Sequence, residues 1–151
     1  MLVGLISDTH GSMPPSVADA FAGVGRIVHA GDVGSQPILD ELELIAPVVA
    51  VRGNMDAGDL EWRLPDTAVA RIGDCRLMVC HDLGALSRKG LPADVDVFVS
   101  GHTHRAAIER IDDVLFVNPG SAGRSGRDGR GPTVAVLDCA AQPPVARIID
   151  L

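Results

Sequence analysis

Aromatic residues are nearly absent: among 151 residues there are three phenylalanines, one tryptophan and no tyrosine. So few rings leave no row of stacking platforms of the kind that single-stranded nucleic-acid binders use. Positive charge is scarce too, with thirteen Lys and Arg against twenty Asp and Glu, a formal net charge of −7. Phosphate-backbone binding needs a basic face, so non-specific nucleic-acid binding is not expected. No apolar run approaches the ~20 residues of a membrane-spanning helix, which argues against a membrane protein. The first six residues carry no cationic segment and run straight into polar ones, unlike a secretory signal. The three cysteines, Cys75, Cys80 and Cys139, match no CxxC spacing and read as reduced thiols of a cytoplasmic protein. Also missing are GxGxxG, the P-loop GK[ST], HExxH and the GxSxG elbow, which removes four common catalytic templates.

What is present is the composition of one globular domain, residues 1–151, with 46% hydrophobic residues and a mean hydropathy of +0.23. Short apolar runs recur, each ended by a polar cluster: Ser7-Asp8-Thr9-His10, Gly31-Asp32, Gly53-Asn54-Met55-Asp56, His81-Asp82, Gly101-His102-Thr103-His104 and Asn118-Pro119-Gly120-Ser121. Runs this short and rich in Val, Ile and Leu predict buried strands. Residues 14–24 and 35–45 carry apolar side chains at helical spacing behind Pro or Ser starts, so the first half reads as βαβαβ with parallel strands. After residue 66 the pattern predicts hairpins about Gly73-Asp74, Asp112-Asp113 and a Pro-containing turn near residue 143. Residues 120–131, rich in Gly and Arg, predict a mobile loop. Arginines 124, 127 and 130 within it read as solvated, as His29 reads as a strand histidine and Trp62 as a packing or rim residue.

Four of the five histidines follow an apolar run directly, as do Asp8, Asp32 and Asn54. Ligands of open α/β sheets bind beyond the carboxyl ends of strands. The donors are all O or N, which suits Mn, Fe, Co, Ni, Zn or Mg. The pairs Asp8-x-His10 and His102-x-His104 put two side chains on one side of an extended chain, and Gly101 admits close approach of the backbone.

Asp8-x-His10, Gly31-Asp32, Gly53-Asn54-x-Asp56, His81 and Gly101-His102-x-His104, in this order, resemble the calcineurin-like metallophosphoesterases. The GNxD block and the small size resemble their compact bacterial and archaeal phosphodiesterases. The resemblance implies a four-layer αββα sandwich of two mixed sheets flanked by helices. It also implies a centre of two divalent ions, manganese first among the candidates. One ion takes Asp8, His10, Asp32 and His104; the other takes Asp32, Asn54, His81 and His102. Asn54 and His102 are also implied as catalytic, and a metal-bridging hydroxide as the nucleophile attacking a small phosphodiester in line. Asp56 and Asp82 are candidates to accept the imidazole N–H groups that do not face the metals. Two positions depart from the broader family: Met55 stands where relatives with a GNHE block have a histidine, and Asp82 replaces the glycine that commonly follows His81. A non-catalytic scaffold like the retromer's small subunit is the rival outside the enzymes; a phosphomonoesterase or nuclease is the rival within them. Completeness of all seven ligands favours the enzyme. Homo-oligomerisation is left open.

Overall fold

The computed structural model describes every residue except Ser125 and Asp128. The described residues form two five-stranded sheets. The first has β1 (Leu2–Ile6), β2 (Arg26–His29) and β3 (Val48–Ala50) in parallel, with β9 (Thr133–Asp138) and β10 (Val145–Asp150) added antiparallel to give the order β10-β9-β1-β2-β3. The second joins β4 (Thr67–Ile72), β5 (Cys75–Cys80), β6 (Val97–Val99), β7 (Ala107–Ile111) and β8 (Val114–Asn118) in the order β4-β5-β6-β8-β7. Both sheets are mixed, since β5, β6 and β8 run parallel between antiparallel edges.

Alternation along each strand sorts side chains between two faces. In β1, Val3 and Leu5 join Val28, Leu77, Val79, Val97 and Val99 between the sheets. Ile6 faces outward with Val17 and Phe21 of the α1 segment and Ile38 and Leu42 of α2. Helices α1 (Ser16–Ala20) and α2 (Gln36–Glu43) thus cover the first sheet, while α4 (Leu83–Lys89) covers the second through Leu83 and Leu86 against Phe98 and Phe116. The layers run helix, sheet, sheet, helix, as expected.

Both expected helices are shorter than their apolar period. Pro14 and Pro15 precede α1, and Gly23 at φ +82° ends its last turn. Two helices carry no strong period and were not foreseen: α3 (Asp59–Arg63) and α4. The second rests on Asp82, whose Oδ1 accepts the Ala85 N–H at 3.0 Å, an N-cap. Through α4, β5 crosses to a parallel β6, so the second sheet is not built of hairpins alone. The final hairpin returns to the first sheet, because β9 pairs with β1 (Gly4 opposite Val136). Among the described residues, no helix is long and apolar enough to cross a membrane.

Candidate metal centre

All seven expected ligands gather at one end of the two sheets, on the loops after β1, β2, β3, β5 and β6. Their backbone is unusual. Asp8, His10, Asp32, His102 and His104 have φ between 49° and 68°, and the only other non-glycine there among the described residues is Asp112, in the β7–β8 turn. An L-residue pays roughly 1–2 kcal/mol for that conformation. Strain of this kind persists where the surrounding structure fixes it, most often at working sites.

The donor atoms form two groups. In one, Asp8 Oδ1 lies 3.2 Å from His104 Nε2 and 3.9 Å from His10 Nε2, and the two imidazole nitrogens are 3.3 Å apart. In the other, Asn54 Oδ1 lies 3.0 Å from His81 Nε2 and 3.1 Å from His102 Nδ1. Asp32 Oδ2 faces both, 3.8 Å from His10 Nε2 and 3.3 Å from His81 Nε2. Sets that could hold an ion are Asp8, His10 and His104, and also Asp8, Asp32 and His81. Asp8 therefore reaches toward the second group as well as the first.

The chemistry of a cation fits this cluster. Asp8 Oδ2 accepts from Ser7 Oγ at 2.6 Å and from the His102 N–H at 3.1 Å. Asp8 Oδ1 is buried, points at the imidazoles and has no hydrogen-bond partner among the described residues. A buried unpartnered polar atom costs about 1–3 kcal/mol, more when charged; a divalent ion would satisfy it.

Each residue of Gly53-Asn54-Met55-Asp56 does a separate job. A Cβ on Gly53 would collide with Asp32 Oδ1, so only glycine lets the chain pass. Asn54 presents its oxygen to the imidazoles, and the Met55 N–H holds Asp32 Oδ1 at 2.8 Å. The Asp56 carboxylate accepts the Gly34 and Gly53 amides, each at 2.8 Å, and so clasps the loops that carry Asp32 and Asn54. It does not meet an imidazole. Asp82 likewise caps α4, and the Nδ1–H of His81 goes to the Ala30 carbonyl at 2.8 Å. Gly101 has the close-approach role expected of it, since a Cβ there would strike Ser7 Oγ.

Two supports come from the Asn118-Pro119-Gly120-Ser121 cluster that ends β8. Asn118 Nδ2 donates to Gly101 O at 2.8 Å and to Thr103 Oγ1 at 3.1 Å, and Ser121 Oγ donates to Asp8 O at 3.0 Å. The Asn118-Pro119-Gly120-Ser121 segment thereby ties β8 to the loops of Asp8 and His102. The Gly- and Arg-rich stretch follows. Arg127 N donates to His104 O, and Arg130 makes a two-pronged pair with Asp150; Ser125 and Asp128 lie outside the described residues.

Burial raises the Asp8 carboxyl above its ordinary range, only partly offset by Ser7 and the imidazoles. Asp32 is also raised by burial, but hydrogen bonds from His81 and the Met55 amide outweigh this and hold it below the usual range. Burial lowers His81, yet Asp32 and Ala30 leave it net raised. His104 is lowered, chiefly by burial. Cys80, beneath the site, is pushed up to about 11 by burial, which leaves it a neutral thiol. Trp62 is 84% exposed and packs against little.

His29 is wholly buried; Nδ1 accepts the Gly31 N–H at 3.2 Å, which leaves Nε2–H for Thr9 Oγ1 at 2.9 Å. Desolvation pushes its pKa down to about 4 from 6.5. Below pH 6.5 an unfolded His29 takes up a proton that the folded one refuses until about pH 4. Protons therefore favour unfolding across that window, by about 3 kcal/mol at its acid end. Chelated wild-type protein should lose stability toward pH 4 more steeply than chelated His29→Asn. Parallel denaturation profiles from pH 7 to 4.5 would refute it.

Two mixed sheets with O and N donors converging at their loop ends form a site whose residues could hold a metal ion. The calcineurin-like phosphoesterase superfamily domain matches residues 1–142, and the chain belongs to that family. It is 41% identical over 134 residues to a probable metallophosphoesterase of Methanocaldococcus jannaschii, covering 80% of this chain and 68% of that protein. A solved archaeal phosphodiesterase superposes with a TM-score of 0.80 at 29% identity, covering all of both chains. Vacuolar protein sorting 29 of Cryptosporidium parvum superposes with a TM-score of 0.79 at 24% identity, over 99% of this chain and 91% of that one, and so shares the fold.

Proposed function

We propose that the protein is a phosphodiesterase that uses two divalent ions, manganese first, to cleave a small phosphodiester by in-line attack of water. The observation that carries this is the meeting of two donor groups at Asp32 Oδ2, beside the orphaned Asp8 Oδ1. Asp8, His10, Asp32 and His104 would hold one ion and Asp32, Asn54, His81 and His102 the other. When bound, such a pair activates water and neutralises developing phosphoryl charge. Asn54 turns its oxygen to the imidazoles, so its amide nitrogen is left to donate to a phosphoryl oxygen. The diester reading is supported by room beside the centre for a group retained on phosphorus: a cavity of about 460 Å³ opens at Asn54, His81 and His102. An interaction scaffold would need none of the seven donors.

Metal-stripped protein should be inactive and regain activity with Mn²⁺ above Mg²⁺, Zn²⁺, Co²⁺, Ni²⁺ or Fe²⁺. It should cleave bis(p-nitrophenyl) phosphate faster than p-nitrophenyl phosphate. Faster cleavage of the monoester, or activity indifferent to chelation, would overturn the reading.

A further inference from the structure

The cavity beside Asn54 and His102 has walls of a definite chemical kind. Arg52 crosses one side, its Nε 2.6 Å from Asp66 and its Nη1 3.0 Å from the Glu61 carbonyl. Glu61, Thr67, Asp82 and Lys89 line it as well. No phenylalanine, tyrosine or tryptophan lines it, and its two rings, His81 and His102, belong to the donor groups. A nucleobase would therefore find no stacking partner outside the donor set, and stacking is the sequence-tolerant part of base binding at about 1–3 kcal/mol per base.

Charge excludes a second class. Four acidic residues, Asp56, Glu61, Asp66 and Asp82, line the cavity with two basic ones, Arg52 and Lys89. Asp66 also neutralises Arg52 directly. A substituent bearing another phosphate would meet net negative walls. What these walls offer is alternating donors and acceptors: guanidinium and ammonium N–H, a threonine hydroxyl, and carboxylate oxygens. Carboxylates accept from hydroxyls in short, charge-assisted bonds. The volume lies within the ~300–1,000 Å³ of small-molecule sites.

We infer that this cavity binds the substituent retained on phosphorus, and that this substituent is an uncharged polyol such as glycerol or a single sugar, held by Glu61, Thr67 and Lys89. The inference rests on the phosphodiesterase reading above and adds its substrate class.

The test uses diesters that share one leaving group, p-nitrophenolate, and differ only in the retained group: methyl, glyceryl, 2-aminoethyl and 5′-thymidyl. With the manganese-loaded protein, kcat/KM for the glyceryl ester should exceed that for the methyl and thymidyl esters by about tenfold or more. Glu61→Gln and Thr67→Val should each lower the glyceryl-to-methyl ratio, toward tenfold for Glu61→Gln, which weakens a charged acceptor. Calorimetric binding of glycerol 3-phosphate should be tighter than that of methyl phosphate and weaken in the same variants. Circular dichroism and metal content show that the variants are folded and loaded. A thymidyl ester as good as the glyceryl one overturns the assignment, as does a better aminoethyl ester, which would mean that the carboxylates select a cation. Unchanged ratios in both variants also overturn it. If even the methyl and bis(p-nitrophenyl) diesters resist every metal, the phosphodiesterase reading itself is wrong.

Discussion

On the two-ion phosphodiesterase reading, Asp32→Ala should reduce phosphodiester hydrolysis to background and lower the metal content from two ions per chain to one or none. Among the described residues, Asp32 is the only carboxylate within 4.0 Å of imidazoles in both donor groups, His10 in one and His81 in the other. Its second oxygen is fixed by the Met55 N–H, so the side chain turns its other oxygen to the imidazoles in one orientation. Removing it takes a charge from both groups and also frees the 53–56 loop from its anchor. Changing an outer partner of a metal ligand already costs about 10–100-fold; loss of a shared carboxylate should exceed that. Asn54→Ala, which removes one neutral donor, should keep more metal and more activity. Elemental analysis of chelator-washed protein separates the two variants. Two tightly held ions in Asp32→Ala would mean that Asp8, which also reaches His81, does the bridging instead.

The meeting of the seven candidate donors at one edge could be read from the sequence because each lies on the loop after a short run of β-branched and aliphatic residues. An apolar run fixes where a strand ends, and parallel strands bring their ends to one edge. The supports could not be read the same way. Asp56 looked like a partner for imidazole but turns to two glycine amides, a contact that depends on how close the 34 and 53 loops pass. Asp82 reads the same way and caps a helix whose apolar face is only Leu83 and Leu86, both partly buried, too little to announce it. The left-handed backbone at five candidate ligands is equally silent, since Asp and His, though enriched at positive φ among non-glycine residues, adopt it too seldom to mark it. The hairpin of β9 and β10 was legible as a hairpin, yet nothing in its alternation says which sheet it joins. That is decided by β9 finding the open edge of β1.

The rate should depend steeply on the leaving group, because the site holds no free proton donor where relatives with a GNHE block carry a histidine. That place is Met55, 65% exposed, whose only polar contribution is its backbone N–H to Asp32. His29, the nearest unassigned imidazole in the sequence, is ruled out by its position: it is fully buried, both ring nitrogens are engaged, and it is neutral down to about pH 4. The other four histidines belong to the two donor groups. General acid catalysis contributes about 10²–10⁴-fold, most where the departing oxygen is basic. Without it, a phenolate that is already stable should leave nearly as well as ever, whereas an alkoxide should suffer by most of that factor. Aryl methyl phosphates of graded leaving-group pKa, each at fixed metal, would show this as a steep negative slope of log kcat/KM. Met55→His should flatten the slope by restoring a donor, and His29→Asn should leave it steep. A shallow wild-type slope, with chemistry shown to be rate-limiting by its insensitivity to viscosity, would mean that another group delivers the proton. Lys89 across the cavity would then be the residue to replace, since its ammonium lines the same space as Asn54 and His102.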